Sequence, residues 1–130
     1  MSLKEVEFDL DGPPLTAEVR SGFGQLGSYR LLLWEAESNV VLEDWPGNFL
    51  NPDDDEYPLP GPPAHQHNRI CEALISLALV PPHTFDVSLV IHQGDEEIGS
   101  VEDIDEEGDP DANKPKQVWF DLFLKLKGGC

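Results

Sequence analysis

The stretch Gln117-Val118-Trp119-Phe120-Asp121-Leu122-Phe123-Leu124-Lys125-Leu126-Lys127 decides the fold. Val118, Phe120, Leu122, Leu124 and Leu126 fall on one side of an extended chain, while Trp119, Asp121, Phe123 and Lys125 fall on the other. A period of two is the mark of a strand with one face in a core. Upstream, residues 84–92 repeat the pattern with Phe85, Val87, Leu89 and Ile91 inward, and Gln93, Gly94 and Asp95 turn the chain into a strand over 97–101. At the other end, Val6, Phe8 and Leu10 alternate with Glu5, Glu7 and Asp9. Asp11, Gly12, Pro13 and Pro14 then supply a turn before the set Leu15, Ala17 and Val19. Residues 29–35 and 39–45 form a hairpin through Ala36, Glu37 and Ser38.

Residues 70–80 are nearly all apolar, a run that a central strand or a buried helix can accommodate. A strand is favoured, because everything around the run alternates with period two. Residues 46–66 hold six prolines and the acidic cluster Asp53, Asp54, Asp55 and Glu56, with neither period. That stretch reads as a long Pro-rich crossover loop between two sheets. About eight short strands and no amphipathic helix point to an all-β chain, an antiparallel β-sandwich or jelly roll. At 130 residues it is expected to form one domain, 1–130.

The net charge of −18 excludes direct binding to nucleic acid and disfavours an anionic membrane surface. It fits a basic protein partner, a cation site, or adaptation of a whole proteome to high salt. Ten of the seventeen residues over 95–111 are Asp or Glu and none is Lys or Arg, so the run is expected to be a strongly negative loop. Neither a secretory leader nor an apolar run of membrane-spanning length occurs, which makes cytoplasmic placement the default. A leader removed ahead of Met1 would instead make the protein secreted. Cys71 lies in the most apolar stretch and is expected to be a small buried hydrophobe.

Residues 103–114 resemble the EF-hand calcium loop, with Asp103, Asp105, Glu107 and Asp111 at its positions 1, 3, 5 and 9 and Gly108 at position 6. Lys114 stands where the loop has its bidentate Glu. The resemblance implies Ca²⁺ held by Asp103, Asp105, Glu107, Asp109 and Asp111. His65, Gln66 and His67 with Glu72 resemble part of the first metal-binding motif of the cupin family. By that resemblance His65, His67 and Glu72 would ligate a transition metal, with His83 or His92 as a third imidazole. The family's second motif, with its Pro, Gly, His and Asn, is missing from this chain. No nucleophile elbow and no phosphate-binding glycine loop occurs, so no catalytic residue is expected.

Trp119 and Phe123 lie opposite the inward row of the last strand, where large apolar groups serve either as a binding patch or as seats for a covering loop or another subunit. The expectation is therefore a non-enzymatic interaction or assembly module, of the kind an inhibitor or immunity protein represents. It would meet a basic partner through Asp53, Asp54, Asp55, Glu56, Trp119 and Phe123, with no cofactor. A calcium-dependent, carbohydrate-binding domain is the alternative, and a cupin-like metal protein the third.

Overall fold

Side chains at every second position become the interior of a two-sheet sandwich. The computed structural model describes residues 2–21, 26–48, 55–78, 85–105 and 116–127. Among these, nine strands run in the order β1 (Ser2–Phe8), β2 (Leu15–Ser21), β3 (Leu26–Trp34), β4 (Val41–Asn48), β5 (Asp55–Pro58), β6 (Ile70–Ala78), β7 (Phe85–Gln93), β8 (Glu96–Asp105) and β9 (Lys116–Leu126). One 3-10 helix, Pro63–Gln66, precedes β6. A five-stranded sheet has the order β1-β9-β6-β3-β4 and a four-stranded sheet the order β5-β2-β7-β8. No helix among the described residues is long and apolar enough to cross a membrane.

The expected hairpins form: β3 pairs with β4, and β7 turns at Gly94 into β8. Gly94 sits at φ 62°, left-handed backbone that favours glycine. Residues 70–78 are a strand, flanked on both sides by antiparallel partners. Its length and the period-two burial of Cys71, Ala73, Ile75 and Leu77 settle strand over helix.

Three features differ from the sequence expectation. Among the described residues the strands number nine, because Asp55–Pro58 within the proline-rich stretch pairs with β2. The sandwich is not wholly antiparallel, since β1 runs parallel to β9 at one edge. Leu10 is exposed, because β1 ends at Phe8 and Leu10 enters the crossing toward β2.

Polar side chains tie the crossings down. The buried Gln93 amide donates to the Asp9 carbonyl at 2.7 Å and accepts from the Asp9 N–H at 2.9 Å, satisfying backbone where the chain passes between sheets. Arg69 is buried and donates to the Pro60 carbonyl at 3.1 Å, to Gln66 Oε1 at 3.1 Å and to Glu35 Oε1 at 3.2 Å. One guanidinium thus fixes the segment leading into β6 against the end of β3.

Tyr29 joins the two sheets. From β3 its buried hydroxyl donates to Asp55 and meets the Tyr57 hydroxyl at 2.5 Å, both partners lying on β5. Trp45 of β4 stacks on Tyr57 with centroids 5.1 Å apart. Gly47 leaves room for the Tyr29 ring, since a Cβ there would fall 2.2 Å from Tyr29 Cζ. Burial first, then Asp55 and Tyr57, push the Tyr29 pKa far above its ordinary value, so the hydroxyl stays a donor. Tyr29→Phe should therefore lower unfolding stability by about 1–2 kcal/mol, with an unchanged slope in urea, because Asp55 loses its buried donor. An unchanged urea midpoint would show that the bridge contributes nothing.

Candidate functional site on the outer face of the five-stranded sheet

The strand parity that sends Cys71, Ala73 and Ile75 inward sends Ile70, Glu72 and Leu74 to the outer face of the same sheet. Registered pairing lays these out in rows. Glu5, Phe123, Ile70 and Trp34 lie side by side across β1, β9, β6 and β3. In the next row Asp121, Glu72, Leu32 and Asp44 are neighbours, and beyond it Trp119, Leu74, Arg30 and Pro46. Two tryptophans and a phenylalanine thus share a face with Glu5, Glu72, Asp121 and Asp44. Trp119 is 50% exposed, while Trp34, Ile70, Leu74 and Phe123 are half-buried.

Glu72 sits between the two indoles and accepts from both: Trp34 Nε1 donates to Oε1 at 3.3 Å and Trp119 Nε1 to Oε2 at 2.8 Å. Its cross-strand neighbour Asp121 is 7% exposed, and Asp121 Oδ1 is buried with no hydrogen-bond partner. Two carboxylates directly opposite one another repel, and burial compounds the cost. Burial first, then the hydrogen bond and charge of Glu72, push the Asp121 pKa up to about 7. A proton on Asp121 is the arrangement that relieves both the repulsion and the stranded oxygen.

Toward the turn between β3 and β4 the face opens into a cleft of about 480 Å³, lined by Glu5, Glu35, Glu37, Ser38, Asn68, Ile70, Phe123 and Lys125. Ile70 and Phe123 supply apolar surface; three glutamates supply negative charge. Glu37 and Asn68 have φ of 53° and 67°, so two of the residues shaping the cleft are held in left-handed backbone. Hydrogen bonding from Arg69 and from the Ala36 N–H holds the Glu35 carboxyl below the usual range, so it is charged at neutral pH. Lys125 Nζ lies 5.9 Å from the Phe123 ring centroid, and its ammonium is the cation among the cleft-lining residues.

The residues singled out in the sequence are distributed over both sheets. Trp119 and Phe123 share the face just described, but Asp55 and Glu56 are on β5 in the other sheet, with Asp55 engaged by Tyr29. Asp53 and Asp54 lie outside the described residues. The acidic run is not all loop: Glu96–Asp105 is a strand at an edge of the four-stranded sheet. Charge on an edge strand repels a second strand that might pair with it, which accounts for part of the acid without a ligand. Asp103 and Asp105 are therefore extended, opposite Val87 and Phe85, rather than at the start of a curling calcium loop. Glu107, Asp109 and Asp111 lie outside the described residues.

His65, His67 and Glu72 do not come together. His65 is exposed on the 3-10 helix, His67 Nδ1 accepts from the Leu126 N–H at 2.9 Å, and both Glu72 oxygens are taken by tryptophans. Among the described residues, the group of His and carboxylate side chains close enough to share an ion is Glu18, Glu56 and His92, on the other sheet. Cys71 is a buried free thiol whose pKa burial pushes up to about 12, so it is inert as a nucleophile. Sequence reasoning missed Trp34, Glu35 and Ile70; outward parity in β3 and β6 was the available signal for Trp34 and Ile70, whereas Glu35 lies just past the end of β3 and had none.

No protein-family model, curated protein or solved structure matches the chain. The geometry alone therefore carries the functional reading.

The Asp121 pair has a pH signature. A carboxyl whose folded pKa is raised favours the folded state while it is protonated; that advantage is lost as pH climbs from about 4, where the unfolded Asp ionises, to about 7. Asp121→Asn keeps the shape and supplies an amide donor toward Glu72. Its stability relative to wild type should rise between pH 4 and pH 7 and then level off, at a gain of about 1–3 kcal/mol. A difference between the two proteins that is flat with pH would contradict a proton held on Asp121.

Proposed function

We propose that this chain is a non-enzymatic binding module that captures a basic protein on the outer face of its five-stranded sheet. The supporting observation is the cleft in which Ile70 and Phe123 are rimmed by Glu5, Glu35 and Glu37. An apolar floor with an acidic rim suits a Lys or Arg side chain, whose aliphatic stem lies on carbon while its head meets carboxylates. Trp119, half-exposed farther along β9, offers a second anchor of the kind that dominates interface energetics. A second copy of the chain is a poor occupant, since two molecules of charge −18 repel.

An inhibitor-like or immunity-like role for a basic toxin or enzyme belongs to this proposal, because strong charge complementarity speeds capture. Cytoplasmic placement belongs to it as well, and the free buried thiol of Cys71 suits a reducing compartment.

The test is affinity capture at about 50 mM and about 500 mM salt, comparing wild type with Glu5→Gln/Glu37→Gln, with Trp119→Ala and with the edge-strand control Glu96→Gln/Glu102→Gln. A basic protein should be retained by wild type and by the control at low salt, and released at high salt. Either face variant should weaken it at least about tenfold. Retention that ignores both salt and the face substitutions would sink the proposal.

A further inference from the structure

On the opposite side of the molecule, three adjacent strands of the four-stranded sheet converge on one point. Glu56 of β5 is the registered cross-strand partner of Glu18 on β2, and His92 of β7, paired with Thr16, is diagonal to Glu18. His92 Nε2 lies 2.6 Å from Glu18 Oε1, and one ligand atom from each of Glu18, Glu56 and His92 lies within 4.8 Å of the others. We propose that Glu18, Glu56 and His92 form a binding site for one divalent transition cation of the zinc class.

The donor set selects the ion. An imidazole nitrogen with two carboxylate oxygens suits zinc and its neighbours, whereas calcium and magnesium want oxygen alone. Three protein ligands leave further coordination positions for water or for a bound group. The neighbouring pocket, of about 210 Å³ and lined by Thr16, Glu56, His92, Gly94 and Asp95, has room for both and places another carboxylate nearby. Strand pairing fixes the backbone spacing of all three ligands, so little ordering is required on binding.

The electrostatics show what such a cation would replace. Glu18 is 5% exposed, a carboxylate that must be compensated by positive charge. Burial alone would raise its pKa, but hydrogen bonds from Arg20 and His92 outweigh burial and hold it below the usual value. Arg20 Nη2 lies 2.8 Å from Glu18 Oε1, while Arg20 Nη1 lies 3.6 Å from Glu97 Oε2. The guanidinium thus has a second carboxylate to turn toward when a metal takes over Glu18. His92 must bind through a bare Nε2 lone pair, so any proton there leaves as the ion enters.

The experiment uses the full chain, stripped with chelator, and zinc chloride as the probe. Calorimetric titration should show one ion per chain, and the melting temperature should rise with zinc by mass action. Magnesium at the same concentration should give no comparable rise. His92→Ala and Glu56→Gln should each weaken zinc at least about tenfold, while His65→Ala/His67→Ala should leave it unchanged. Cobalt(II) gives a second readout: its visible spectrum should show a nitrogen-ligated site that His92→Ala removes, with circular dichroism confirming that the variant is folded. No uptake of zinc, or uptake that persists unchanged in the folded His92→Ala and Glu56→Gln proteins, would overturn the assignment and identify only diffuse attraction to an acidic surface.

Discussion

The register of β6 between β3 and β9 is the constraint on which the other features rest. Ala73 lies opposite Leu31 on one side and Phe120 on the other, and all three are buried. The adjacent position places Glu72 between Leu32 and Asp121. A slip of one residue would turn Cys71, Ala73, Ile75 and Leu77 to solvent and drive Glu72 into the core. The hydrophobic row therefore fixes the outer face as firmly as the inner one, and the carboxyl pair is a consequence of that fixed register. Arg69 anchors the segment just ahead of Ile70, to the Pro60 carbonyl and to Glu35.

The negative charge then divides into parts with different physical roles. On β8, Glu96, Glu97, Glu102 and Asp103 guard an edge against strand addition. Glu35, just past the end of β3, and Glu18 on β2 are paired with guanidinium groups, so they fix structure as well as carrying charge. Glu5 and Glu37 rim the cleft and are exposed, which leaves them free to act on what approaches. A single figure of −18 conceals this division. Only three-dimensional placement shows which acids are paired within the fold and which are exposed at the cleft.

Much of the fold was legible because alternation is a local property. The strands β7 and β9 could be read from side-chain parity alone, and their inward rows proved buried as expected, with Leu126 partly so. What escaped depended on pairing. Asp55–Pro58 is four residues long, lies among prolines and buries no row of its own, so only its ladder with β2 makes it a strand. The parallel alignment of β1 with β9 joins the two ends of the described chain, a contact with no local signal. The same limit applies to the sites. Trp119 and Phe123 could be placed on an outward face by parity, but Glu72 with Asp121, and Glu18 with Glu56 and His92, meet only because strands distant in sequence are neighbours in the sheet.

A buried Asp121 beside a half-buried Glu72 in the middle of an aromatic face is a poor device for stability, since apolar residues of similar volume would do as well or better. Its position suggests what it does contribute. Had Glu72 and Asp121 been leucines, the strip from Trp34 across Ile70, Leu74 and Phe123 to Trp119 would be continuously apolar and open to indiscriminate association. With the pair in place, any partner that covers the strip must satisfy or tolerate an acidic centre. A partner bringing an acid or a plain hydrocarbon there leaves Asp121 worse off; one bringing a donor or a cation does not. Under the proposed binding role, stability given up in the sheet would be recovered as discrimination among partners, in the same sense as the acidic rim of the cleft beside it. The two features would favour the same class of ligand, and that agreement is why the proposal rests on the whole face and not on its exposed tryptophan alone.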